Sequence, residues 1–218
     1  MKKVTIIDYG LGNILSVKRA FEYSGAEVSI TDIPSDIINA DMLVLPGVGA
    51  FRDGMAGLAH KDLIEPIKKY CKLNKPFLGI CLGMQMMLDE SEEFGRHEGL
   101  GVIKGKVVRI TDMNCEGEKQ KVPYVGWSEL LAAEGSDISI WDHTIMKQVK
   151  KGDSVYFVHS YHALPYDKSH VFAVYKYGGV PITAVIKKGN LYGCQFHPEK
   201  SGEVGLSIIR EFIKLDAR

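Results

Sequence analysis

Long apolar runs are missing from this 218-residue chain. No stretch approaches the roughly 18–20 consecutive apolar residues that a membrane-spanning helix needs, so no membrane span is expected. A secretory leader is not expected either. Lys2 and Lys3 are followed by a short apolar piece, residues 4–7, that runs straight into a strand-like segment. An excess of charge of either sign is also missing: 27 Lys and Arg balance 27 Asp and Glu. Bulk electrostatics therefore give no reason to expect a nucleic acid or an anionic membrane as partner. Cysteine is scarce. The four present, Cys71, Cys81, Cys115 and Cys194, form no CxxC pair and no regular spacing. That speaks against a zinc site and against a disulfide framework, and for a reducing cytoplasm. No metal and no cofactor are expected. Repeats, linkers and low-complexity stretches are absent too. With 45% hydrophobic and 25% charged residues, the chain reads as one domain spanning residues 1–218.

What the sequence does have is one highly organised stretch. Phe77 to Ile80 is an apolar run long enough for one buried strand, and residues 84–88 read as the first turns of a helix. Between them lies Gly79-Ile80-Cys81-Leu82-Gly83, a cysteine with a glycine two residues to each side. Strand, tight turn and helix with a nucleophile at the turn is the logic of the nucleophile elbow. The glycines give a strained turn the room it needs. A helix opening after Cys81 favours the thiolate.

Around this stretch the first half alternates strand and helix. Residues 4–8 and 27–31 read as strands flanking a helix whose Ile14, Val17, Ala20 and Phe21 share one face. Gly10 and Gly12 imitate the start of a dinucleotide fingerprint. Leu15 stands where its third glycine belongs, so the pair reads as turn glycines. Met42–Leu45 is a fully apolar strand that runs into Pro46-Gly47-Val48-Gly49, a loop whose N–H groups can face a ligand. Leu63, Ile64, Ile67, Tyr70 and Cys71 form a helical stripe, with Cys71 read as core. This pattern predicts an α/β fold: a doubly wound, largely parallel sheet flanked by helices.

From residue 91 on, the texture changes. Residues 91–99 read as a charged loop, 105–110 as a strand, 114–120 as a polar turn, and 122–127 as a surface segment. Residues 154–162 read as one strand. Segments 172–175 and 181–186 read as an antiparallel pair joined across Gly178 and Gly179. Residues 190–196 form the expected last strand, with Cys194 buried. Leu206, Ile209, Phe212 and Ile213 mark a closing amphipathic helix. The second half is thus partly antiparallel and adds an antiparallel extension to the sheet.

His197 and Glu199 follow the last strand two residues apart; in extended chain such residues point the same way, so both are expected to face one pocket, with Pro198 stiffening the segment between them. A thiol nucleophile needs a base, and the base needs a carboxylate to fix its tautomer. Cys81, His197 and Glu199 supply these roles. Taken alone, a late His is more often structural. Coupled to a cysteine elbow, it is a far more specific signal.

The motifs Gly79-Ile-Cys81-Leu-Gly83-Met-Gln85 and Gln195-Phe-His197-Pro-Glu199-Lys-Ser201 resemble those of class I, triad-type glutamine amidotransferases. Asp8-Tyr-Gly-Leu-Gly-Asn13, Leu45-Pro-Gly-Val-Gly-Ala50, Val122-Pro-Tyr-Val-Gly-Trp127 and Tyr156-Phe-Val-His-Ser-Tyr161 are similar to the family of glutaminase subunits of imidazole glycerol phosphate synthase. The resemblance implies L-glutamine as substrate. It also implies a heterodimer with a HisF-like (β/α)8 cyclase that receives ammonia through a channel. It implies attack by Cys81, proton transfer by His197 and orientation by Glu199. It assigns Gly47, Val48, Gly49 and the N–H of Leu82 to oxyanion stabilisation. Gln85, His159, Ser160 and Tyr161 are assigned to holding glutamine, and Asn13, Trp127, Tyr156 and Lys200 to the partner face. Two positions depart from the family pattern. Val125 and Ser128 flank Gly126-Trp127 where Met and Asn are usual, and His162 stands where an aromatic or Arg is more familiar. Two other roles stay open at this point: ammonia supply for amidino-sugar biosynthesis on surface glycans, and a catalytically silent regulatory subunit.

Overall fold

Four short apolar runs build the centre of the molecule. A computed structural model describes residues 2–216; the expected domain limits at residues 1 and 218 fall on residues outside that range. The first half contains β1 (Lys3–Ile7), α1 (Ile14–Tyr23), β2 (Glu27–Thr31), α2 (Pro34–Asn39), β3 (Met42–Leu45), α3 (Phe51–His60), α4 (Ile64–Lys72), β4 (Phe77–Ile80) and α5 (Leu82–Met86). The second half contains β5 (Glu90–Ser91), β6 (His97–Glu98), β7 (Gly105–Arg109), β8 (Tyr124–Glu129), β9 (Leu131–Ala132), β10 (Ser154–His159), β11 (Tyr161–Pro165), β12 (Val171–Tyr177), β13 (Val180–Lys188), β14 (Leu191–Cys194) and α6 (Gly202–Ile213).

The main sheet runs β2-β1-β3-β4-β14-β13-β12-β9. Its first five strands are parallel, and β13, β12 and β9 each run antiparallel to the strand before. β3, β4 and β14 are buried at every position, as strands covered on both faces must be. On one face α1 and α6 pack through Val17, Phe21, Ile209 and Phe212, against Val4, Ile6 and Leu78. On the other, α3, α4 and α5 pack through Phe51, Leu58, Ile67 and Met86, against Ile7, Leu43 and Phe77. The expected doubly wound sheet with an antiparallel extension is what forms. Strand order reverses direction between β1 and β3, and in such sheets the crevice beyond the strand ends is where ligands bind.

The second half departs from the sequence reading. Residues 154–162, read as one strand, are two: β10 pairs antiparallel with β8, while β11 pairs antiparallel with β7 in a separate sheet ordered β11-β7-β5-β6. The break falls at Ser160. The two halves find partners in different layers, which hydrophobic alternation along one segment cannot reveal. Residues 122–127, read as a surface segment, become most of β8, with alternate side chains exposed. The short strands β5 and β6 lie in a charged stretch with no apolar pattern; they form because neighbours offer ladder partners.

Candidate active site

The site is built where β4 meets α5. Cys81 sits between them at φ 54° and ψ −108°, a backbone conformation that costs a non-glycine residue about 1–3 kcal/mol. The surroundings impose it. The Cys81 N–H is held by the Cys194 carbonyl at 2.7 Å, extending the β4–β14 ladder by one residue. The chain then turns at once, and α5 starts at Leu82, two residues before the sequence suggested. The bracketing glycines are required by close approach. A Cβ on Gly83 would lie 1.8 Å from the Leu45 carbonyl oxygen, and one on Gly79 would lie 2.8 Å from the backbone of Gly83. Helix and strands are so close here that only hydrogen fits.

His197 and Glu199 arrive from the end of β14. Glu199 lies in a single 3-10 turn, Pro198–Lys200. His197 Nδ1 is 2.9 Å from Glu199 Oε1, and the two side chains are 3% and 1% exposed. The carboxylate oxygen is the acceptor of this pair, so Nδ1–H donates to it and Nε2 is the nitrogen left for another partner. Nε2 makes no aligned hydrogen bond. Burial opposes charge on this ring, but the Cys81 sulfur and the Glu199 carboxylate outweigh it and hold the His197 pKa up at about 10. The His197 backbone is fixed as well: its N–H donates to the Tyr156 carbonyl at 3.1 Å, and Ser201 Oγ donates to its carbonyl at 2.7 Å. Ser201 also accepts the Tyr156 N–H at 3.0 Å. The imidazole is thereby tied to β10.

A cavity of about 300 Å³ opens over the sulfur. Of the residues expected from sequence, Val48, Gly49, Cys81, Leu82, Gln85, His159, Ser160, Tyr161 and His197 line it. Glu93, Pro123 and Val158 line it too. Glu93 was not legible in the sequence, since it lies in a charged segment with no periodicity. Its Oε2 accepts the Phe51 N–H at 2.7 Å, at the start of α3.

Several expected residues are already engaged. The Leu82 N–H, expected from the resemblance to serve an oxyanion, donates to the Gly47 carbonyl at 3.4 Å and is thus covered by the neighbouring loop. The Gln85 Nε2 donates both hydrogens inside the protein, to the Tyr161 carbonyl at 2.8 Å and to Gln195 Oε1 at 3.1 Å. His159 Nδ1–H donates to the Tyr161 carbonyl and its Nε2 accepts from the Tyr175 hydroxyl, each at 2.9 Å. Burial lowers the His159 pKa to about 3, so the ring is neutral and braces the wall of the cavity. Among the described residues no cluster of His, Cys, Asp and Glu could hold a metal ion.

The four residues assigned to a partner face do not line the cavity. Trp127 and Tyr156 are cross-strand neighbours on the β8–β10 ribbon, rings 6.0 Å apart. Val125 and Val158 pair on the same ribbon. Trp127 and Val125 are 56% and 55% exposed. Lys200 is exposed on the 3-10 turn, which touches both β10 and α1. Asn13 caps α1, accepting the Ser16 N–H at 3.4 Å.

The chain matches the family model described as glutamine amidotransferase class-I over residues 5–215. It is 55% identical to the "Imidazole glycerol phosphate synthase subunit HisH 1" of Legionella pneumophila (strain Lens), covering 99% of this chain and all 100% of that one. It is 46% identical to the HisH subunit of Syntrophotalea carbinolica, covering 96% of this chain and 98% of the relative. Among solved structures, PurLQS from Thermotoga maritima superposes with a TM-score of 0.70 at 20% identity, covering 97% of each chain. A second structure, titled as a glutamine amidotransferase, gives 0.69 at 17% identity. At those identities the structures speak to the fold alone. By family model and by full-length sequence likeness, the chain belongs to the class-I glutamine amidotransferases, in the branch of the HisH subunits.

Proposed function

We propose that this chain is the glutaminase subunit of imidazole glycerol phosphate synthase, working in the cytoplasm as one domain. It hydrolyses L-glutamine and passes the ammonia to a (β/α)8 cyclase subunit in a heterodimer that serves histidine biosynthesis. The observation that carries the chemistry is the strained, buried Cys81 sharing a small cavity with His197, whose Nδ1 is held by Glu199.

The geometry supports the following steps. Cys81 gives its proton to His197, and the thiolate attacks the side-chain amide carbon of glutamine. The tetrahedral intermediate carries an oxyanion. His197 returns the proton to the amide nitrogen as the C–N bond breaks, leaving ammonia and a glutamyl thioester on Cys81. Water, deprotonated by His197, attacks the thioester; glutamate leaves and the thiol is restored. Glu199 keeps the proton on Nδ1 throughout, so that Nε2 faces the reaction. Glu93 is the acidic side chain of the cavity and suits the α-ammonium of an amino acid. The oxyanion needs the Leu82 N–H, which the Gly47 carbonyl now occupies. Turning the 47–48 peptide over would free that donor and bring a second N–H to the hole, so hydrolysis in the isolated subunit is slow until the partner docks. The exposed apolar stripe of Val125, Trp127 and Val158 on the ribbon that ties down His197 suits that partner. A dry, docked face keeps ammonia from being protonated and lost.

Whole-length likeness to HisH subunits favours this pathway over ammonia supply for amidino sugars, which would use the same chemistry. The test is Cys81→Ala in the complex. Product formation from glutamine disappears, while ammonium salts still support the partner's reaction. Equal loss with both nitrogen donors would refute the role. Pull-down of the partner identifies the pathway.

A further inference from the structure

Gln195 is fully buried, next to the end of β14. A buried primary amide is costly unless its groups are satisfied, and an apolar residue of the same size would fill the space without that cost. Its Nε2 lies 3.7 Å from Cys81 Sγ. We propose that Gln195 is a catalytic residue of this site: its amide N–H stabilises the Cys81 sulfur as an anion, and Gln85 is the positioning residue that fixes the direction of that amide. The proposal deepens the glutaminase reading and rests on Cys81 being its nucleophile.

The direction of the amide follows from the hydrogen-bond network. The Tyr161 carbonyl can only accept, so the Gln85 atom 2.8 Å from it is nitrogen. The second hydrogen of that nitrogen is spent on the Gln195 atom 3.1 Å away, which must then be oxygen. Nitrogen is left as the Gln195 atom facing the sulfur. Turning Gln195 over would set donor against donor at Gln85 and leave the sulfur beside a carbonyl oxygen. A neutral thiol is a weak acceptor, whereas a thiolate receives a charge-assisted bond. The N–H therefore favours the state in which the Cys81 proton has moved to His197. It loosens again when the sulfur becomes a neutral thioester, and it regains strength as the thioester breaks and the thiolate leaves.

The groups facing the sulfur are His197, backed by Glu199, and Tyr9, with His159, Tyr161 and Glu93 at the cavity. Burial and the sulfur keep the Tyr9 hydroxyl protonated, and His159 stays neutral. The alkylation profile is read between pH 6 and 9.5.

The experiment is peptide-resolved mass spectrometry of Cys81 alkylation by iodoacetamide in the full chain, for wild type, Gln195→Met and Gln195→Glu. The glutamate keeps an acceptor for Gln85 but offers the sulfur no donor when ionised. Alkylation at pH 7 is expected to fall about tenfold in Gln195→Met, the equivalent of ~1.4 kcal/mol, and at least as far in Gln195→Glu. Both variants reach or exceed the wild-type rate at the alkaline end, since a more basic thiolate is the stronger nucleophile once formed. Near-wild-type alkylation of Gln195→Glu at pH 7 would mean that Gln195 only supports Gln85, and would overturn the proposal. That variant carries the test if Gln195→Met fails to fold. Iodoacetamide lacks the α-ammonium and α-carboxylate of glutamine, so this outcome does not depend on the groups that would hold the amino-acid end of the substrate. The glutaminase reading fails separately, if wild type with its partner releases no ammonia from glutamine.

Discussion

Replacing Cys81 with glycine should make the protein more stable than replacing it with alanine. Both variants lose the sulfur, so the comparison isolates the Cβ at φ 54° and ψ −108°. Strain of about 2 kcal/mol, within the usual 1–3, is relieved only by glycine. Against this stand the greater entropy of glycine in the unfolded chain and the loss of Cβ contacts, together about 1 kcal/mol. The balance is about 1 kcal/mol in favour of glycine. For a chain of this size that is a Tm about 2–4 °C above the alanine variant. At a site with ordinary backbone geometry the sign reverses, and glycine melts about 2–4 °C lower. The assay is a pair of thermal melts by circular dichroism at one scan rate, on the isolated subunit. An alanine variant that melts higher would show that the turn stores no strain, and the argument that the fold forces Cys81 into its pose would be lost.

Gly83→Ala should fail to fold or lose well over 5 °C in Tm, because its Cβ would overlap the Leu45 carbonyl; a soluble, wild-type-like melt refutes the close-approach argument. Glu199→Gln removes the carboxylate that helps hold the His197 pKa at about 10, and glutamine turnover in the complex should drop by at least ~100-fold while ammonium-dependent turnover stays. The His159 pKa lies at about 3 in the fold, below its ordinary 6.5. Below pH 6.5 the unfolded chain therefore takes up a proton that the folded chain refuses. Urea midpoints should accordingly fall as pH drops from 6.5 toward 4, with His159 contributing ~1.4 kcal/mol per pH unit. The raised pKa of His197 adds no slope in that window, because its ring is charged in both states there, and an acid limb that is flat below pH 6.5 would contradict a neutral, buried His159. Trp127→Ala should weaken partner binding by about tenfold or more without changing Cys81 alkylation, as checked by calorimetric titration; unchanged affinity would move the docking face elsewhere.

Much of the parallel half of this protein is written in local sequence. Runs such as Met42–Leu45 and Phe77–Ile80 are apolar at nearly every position, and a strand covered on both faces needs that pattern. The elbow was equally visible, because the glycines beside Cys81 leave room that the backbone itself occupies. The pairing of His197 with Glu199 is local too, but a 3-10 turn makes it rather than the extended chain that the two-residue spacing suggests, so Glu199 holds the imidazole without lining the cavity. What the sequence left undecided was settled by partners far along the chain. The split of residues 154–162 at Ser160 depends on β8 and β7 taking its two halves into different layers. The cavity role of Glu93 depends on the start of α3. The relay from Tyr161 through Gln85 and Gln195 to the sulfur spans contacts 76, 110 and 114 residues apart. Local pattern fixes how a segment is shaped and which face it buries. Which donor meets which acceptor is decided only when the sheet brings those ends together, because hydrogen bonds act over ångströms and carry no trace along the chain between them.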